Sequence, residues 1–138
     1  MSGKLQILIA GPSDKANNGL TKWLSDSIDV RVSGIAINSI KLLAMAEEMK
    51  PDVILIDFDL NRVPLTHTVQ LLGEIRPKPS IIVLTQKITA AIQRRCIEAG
   101  AEFVFNKTTD MDELTLVLQG YYRNKELQSR PENKFNSN

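Results

Sequence analysis

Three residues of different chemistry close three short apolar runs. Asp57 follows Val53–Ile56, Thr85 follows Ile81–Leu84, and Lys107 stands just beyond Phe103–Phe105. A carboxylate with an ammonium and a hydroxyl beside it is equipped to accept a phosphoryl group. The acid supplies the attacking oxygen, and the other two hold the oxygens of the incoming group, where charge must be stabilised. A second pattern, Gly11-Pro12-Ser13 ahead of a helical segment, suggests a phosphate cradle at a helix N-terminus. It would suit a nucleotide or flavin binder. Against that alternative, the stretch has one glycine, no run of hydroxyl residues, and no aromatic pair to sandwich a flavin. Other chemistry-bearing residues read as ordinary. His67 falls off its apolar stripe, Cys96 lies on the inner stripe of its segment, and Arg94-Arg95 suit a solvated face.

A lone acid at the end of a strand is usually a loop residue, so the elements decide whether the three groups meet. Apolar runs recur at Leu5–Ala10, Val30–Ile37, Val53–Ile56, Ile81–Leu84 and Phe103–Phe105. The first, third and fourth are nearly continuous, as expected of central parallel strands covered on both faces. The second alternates Val30 and Val32 with Arg31 and Ser33, which places it nearer an edge.

Each run is followed by helical periodicity. Ala16, Leu20, Trp23 and Leu24 form one stripe, with Ser13 as N-cap. Leu42 or Leu43, Ala46 and Met49 form the next, closed by Lys50-Pro51. Leu65, Val69, Leu72 and Ile75 follow Pro64, a good first-turn residue. Ile88, Ile92, Cys96 and Ala99 end at Gly100, and Met111, Leu114, Leu118 and Tyr121 follow Asp110 as a cap. Strands alternating with helices predict an α/β, flavodoxin-like, doubly wound five-stranded parallel sheet with helices on both faces. In such sheets ligands gather beyond the carboxyl ends of the strands, where Asp57, Thr85 and Lys107 fall.

Composition bounds the function. The 138 residues are 43% hydrophobic and 24% charged, which fits one globular domain. Seventeen Lys and Arg against 16 Asp and Glu leave a net charge of +1, no footprint for nucleic acid or an anionic membrane. One cysteine excludes an intramolecular disulfide framework and suits a reducing compartment. No apolar run approaches the ~20 residues that span a bilayer. Met1-Ser2-Gly3-Lys4 leads straight into a strand-like run, unlike a signal peptide, so a cytoplasmic location is expected. The domain is expected over 1–122. Residues 123–138, polar and carrying Pro131, read as a frayed helix end with a tail or linker.

Four stretches in order carry a family likeness: Pro51-Asp52-Val53-Ile54-Leu55-Ile56-Asp57, Ile81-Ile82-Val83-Leu84-Thr85, Ala99-Gly100-Ala101-Glu102, and Lys107. From Lys4 to Tyr122 the chain resembles the receiver domain of bacterial two-component response regulators. The resemblance implies a signalling module rather than an enzyme, with Asp57 as phosphoacceptor, Thr85 as switch hydroxyl and Lys107 as the phosphate-binding lysine. It implies a histidine kinase or phosphotransfer protein as donor, or a small acyl phosphate. It also implies a homodimer or partner face on the fourth helix, fifth strand and fifth helix. There Arg94 and Arg95 would meet Asp112 and Glu113 in a mixed-sign contact.

The departures from the family are as informative. Gly11 and Pro12 occupy the places of the adjacent acids that help to hold Mg²⁺. Asp57 with the backbone carbonyl of Asp59 is then a thin set for a hard ion, so weak Mg²⁺ binding is expected unless Asp14 compensates. Gln86 replaces a small residue and narrows access to Asp57, Val104 stands for a switch aromatic, and Asn61 replaces a proline. Thr108 replaces the proline after the lysine, where a cis bond would cost about 3 kcal/mol or more. These changes raise a second possibility, a docking module that works without phosphorylation.

Overall fold

The structure is a computed structural model that describes residues 4–27, 29–59 and 65–128. Its elements run β1 (Leu5–Ala10), α1 (Asp14–Ser27), β2 (Val30–Ala36), α2 (Ser39–Met49), β3 (Val53–Asp57), α3 (Leu65–Leu72), β4 (Ser80–Thr85), α4 (Ala90–Ala99), β5 (Phe103–Asn106) and α5 (Met111–Gln128). The strands form one parallel sheet in the order β2-β1-β3-β4-β5. The expected doubly wound fold is therefore present. The alternating β2 run lies at an edge, and the continuous runs lie inside.

Strand alternation divides the core into two layers. Leu5, Ile7, Ile9, Val53, Leu55, Ile82 and Leu84 pack with Leu24 of α1 and with Leu114 and Leu118 of α5. Leu8, Ile54, Ile56, Ile81 and Val83 pack with Leu42 and Ala46 of α2, Val69 and Leu72 of α3, and Cys96 of α4. Burying a Leu or Ile side chain stabilises the fold by about 1.5–3 kcal/mol, so each layer is a substantial clamp on its helices. The same parity sets the site. Asp57 continues the series Val53, Leu55 on the α1/α5 side, as Lys107 continues Phe105. Thr85 instead continues Ile81 and Val83, toward the α2–α4 side.

Helix ends differ from the sequence reading in instructive places. The Thr89 hydroxyl accepts from Ile92 N at 3.1 Å and caps α4. Ile88, expected within that helix, therefore packs on the core from the preceding loop. Gly100 ends α4 at φ 128°, a conformation that favours glycine. β2 stops at Ala36, one residue before Ile37, whose side chain is exposed. Pro64 and Asn61 lie outside the described residues.

The last helix continues past Tyr122 to Gln128, through residues whose polarity suggests a tail. Polarity there conceals an anchor. Lys125 Nζ donates to Asp52 Oδ2 at 2.7 Å and to Lys4 O at 3.0 Å, fastening α5 beneath β1 and β3. The remainder of the proposed tail, from residue 129, lies outside the described residues.

Candidate functional site

β3 and β4 pair with Asp57 opposite Leu84, and β4 and β5 pair with Thr85 opposite Asn106. Lys107 N donates to Thr85 O at 2.9 Å, which extends that register past the strand end. The Lys107 side chain then folds over the sheet edge onto Asp57. Its Nζ donates to Asp57 Oδ2 at 2.5 Å, and the two side chains are 28% and 17% exposed. The other carboxylate oxygen accepts from Asp59 N at 2.9 Å, a turn that holds the acid in place. Two of the three residues singled out by type are thus in direct contact.

The third is not. Thr85 is buried, and no hydrogen bond joins it to Asp57. Its hydroxyl lies 3.4 Å from Lys87 N and 3.5 Å from Lys87 O. The sheet alternation that puts Asp57 and Lys107 on one side directs Thr85 toward the other.

The loop after β5 is organised by a residue that the sequence reading passed over. Asn106 Oδ1 accepts from Thr108 N at 2.8 Å and from Thr109 N at 3.0 Å. Its Nδ2 donates to Gln86 O at 2.9 Å, which ties this loop to the one after β4. Asp110, expected to cap α5, turns its carboxylate back to accept from Asn106 N at 2.8 Å. The cis peptide among the described residues is Arg76–Pro77, so Lys107–Thr108 is trans, as Thr108 leads one to expect. The signal available was an asparagine at a strand end, a common turn-former.

A second missed residue, Asn17, shapes the opposite wall. Asn17 is 4% exposed, and its Nδ2 donates to Gly11 O at 2.8 Å. A Cβ placed on Gly11 would overlap Asn17 Oδ1 and lie 3.5 Å from Asp57 Cβ. The asparagine side chain fills the space that a Cβ at position 11 would use, so any larger residue there requires Asn17 Oδ1 to shift. Ser13 caps α1 as expected, its hydroxyl accepting from Ala16 N at 3.2 Å. Asp14 is exposed in the first turn of α1. Among the described residues, no group of three or more His, Cys, Asp or Glu side chains converges on a point.

Other expectations resolve simply. Cys96 is fully buried, and burial pushes its thiol above the ordinary range. Val104 is buried in the core layer that holds Cys96, on the face of β5 opposite Phe103 and Phe105, whose rings stack at 5.3 Å. His67, Gln86, Arg94, Arg95, Asp112 and Glu113 are exposed. Among the described residues no helix is long and apolar enough to cross a membrane.

Comparison with known proteins agrees with this architecture. The chain is 30% identical over 99 residues to a protein-glutamate methylesterase/protein-glutamine glutaminase of Bacillus licheniformis, covering 70% of this chain and 28% of that protein. It is 24% identical over 110 residues to the response regulator protein VraR of Staphylococcus aureus, covering 80% of this chain and 53% of that one. The chain thus spans about half or less of these curated relatives. A LuxR-family two-component response regulator from an Aurantimonas species has the same fold, with TM-score 0.77 and 18% identity over 86% of this chain and 87% of its own. So does the response regulator domain of Thermotoga maritima CheB, with TM-score 0.72 and 20% identity over 88% and 96%. The sequence profile of the response regulator receiver domain matches residues 7–119, and the chain belongs to that family.

Proposed function

We propose that the chain is the receiver module of a two-component phosphorelay and that Asp57 is its phosphoacceptor. The observation that carries this reading is the contact of Lys107 Nζ with Asp57 Oδ2 at the end of a central strand. The donor is the phosphohistidine of a histidine kinase or phosphotransfer protein. An Asp57 oxygen attacks phosphorus, the P–N bond breaks, and the imidazole leaves. Lys107 then balances the added negative charge, which the carboxylate alone would repel. Thr85 would have to rotate away from Lys87 to donate to a phosphoryl oxygen, so its hydroxyl serves the phosphorylated form.

The donors present do not fit tight Mg²⁺ binding. That ion needs near-octahedral oxygen ligation, commonly with one or two carboxylates. Here one Asp57 oxygen is committed to Lys107, position 11 has no side chain, Asn17 fills the adjoining space, and Asp14 is exposed. Asp57 and the Asp59 carbonyl remain, a set for weak binding at most. The Asn17 contact also favours a second reading, a docking module that binds its partner without phosphorylation.

Intact-mass measurement after incubation with acetyl phosphate and Mg²⁺ tests the choice. The first reading expects one acid-labile phosphoryl group on the wild type and none on Asp57→Asn. No label on a folded wild type selects the docking module, and label that persists in Asp57→Asn refutes the assignment of the acceptor.

A further inference from the structure

Between α1, α5 and the sheet lies a cavity of ≈ 380 Å³, within the size range of small-molecule sites. Its floor is apolar, formed by Ile9, Leu55 and Leu84, and its walls include Leu20, Trp23 and Met111. Gly19 lines the cavity, and a Cβ placed there meets nothing within 4 Å. Ala16 and Gly19 are exposed, so the cavity opens to solvent along α1 and a guest can reach its apolar floor.

One end of the cavity is polar, where Asp57, Lys107 and Asn17 line it. The Asp57–Lys107 pair cancels its own charge, so neither an anion nor a cation is favoured there. Hydrogen-bonding capacity remains on both partners. An ammonium has three N–H donors, and Lys107 uses one of them, on Asp57 Oδ2. The carboxylate keeps free lone pairs beside the Lys107 and Asp59 contacts. A hydroxyl group matches both, donating to the acid and accepting from the ammonium. We propose that the cavity binds a small neutral ring compound bearing one hydroxyl, of the phenol or alicyclic alcohol class, with the hydroxyl on the Asp57–Lys107 pair. This site goes beyond phosphate acceptance and needs no phosphodonor.

The test uses p-cresol as probe on the full chain, reading the indole N–H resonance of Trp23, the single tryptophan. A saturable shift is expected. Toluene, which lacks the hydroxyl, and 4-methylbenzoate, which carries a charge, should each bind about tenfold more weakly, the scale of one lost hydrogen bond to a charged group. Gly19→Leu should fill the space and weaken p-cresol about tenfold or more. It should also leave the fold intact, since leucine is a better helix former than glycine. Lys107→Met should abolish the preference for p-cresol over toluene. Absence of a saturable shift, equal binding of the three probes, or undiminished binding to a folded Gly19→Leu variant overturns the proposal.

Discussion

The two walls of the strand-end cleft use opposite means to settle their polar groups. On the β3–β5 side a charged pair closes on itself, Lys107 on Asp57. On the β1–α1 side a neutral amide, Asn17, satisfies the Gly11 carbonyl, and no charge is present at positions 11 or 12. Acids on that wall would crowd negative charge against Asp57 and call for a divalent ion to offset it. An amide makes no such demand. The wall proposed to handle phosphate can thus be retained while the wall that would handle metal changes, because a separate side chain stabilises each.

The largest expected effect breaks the charged wall. Lys107→Ala should slow labelling by acetyl phosphate about 100-fold or more, the scale seen when one donor to a developing charge is lost. Timed mass spectra would check it, and a loss below threefold would show that the Asp57 contact is incidental. Breaking the neutral wall should act on stability instead. Asn17→Ala strands the Gly11 carbonyl and should cost about 1–3 kcal/mol in urea denaturation, with the labelling rate nearly unchanged.

A third change forces the walls to resemble each other. Gly11→Asp alone should destabilise the fold by about 1–3 kcal/mol, because its Cβ overlaps the Asn17 oxygen. Adding Asn17→Ala should recover part of that loss, a coupling that a double-mutant cycle would show. Additive costs would mean that the two residues do not compete for space.

The smallest effect is a control remote from both walls. Burial, then the hydrogen bond to Glu102, pushes the Tyr121 phenol above its ordinary pKa of about 10. The folded state therefore favours the protonated phenol. Its contribution is fully present below about pH 10 and is lost as pH rises toward the folded value. Stability should fall as pH rises above about 10, the ordinary phenol value, and fall less in Tyr121→Phe. An unchanged slope in that variant would assign the alkaline loss to other groups.

How much of this was legible in the residues depends on the range of the forces involved. Val53–Ile56 reads as a central strand because both of its faces are buried, a requirement written into the run itself. Asp57 and Lys107 are legible for a related reason, since strand ends in open parallel sheets gather reactive groups. The direction of the Thr85 hydroxyl is not, because it follows from strand parity and a turn at Lys87. Asn17 hides within a helical stripe, where nothing marks a polar residue as buried. The last turns of α5 hide for the opposite reason. Their polar residues look like a tail until Lys125 meets Asp52, a partner 73 residues away.

Calorimetric titration with Mg²⁺ tests the difference between the two walls most directly. Wild type should show no saturable binding at low-millimolar Mg²⁺. The triple variant Gly11→Asp, Pro12→Asp, Asn17→Ala, once shown to be folded, should gain a saturable isotherm, since it supplies two carboxylates and clears the space that Asn17 fills. A sub-millimolar Kd for the wild type, or a folded triple variant that binds no better, would contradict the account.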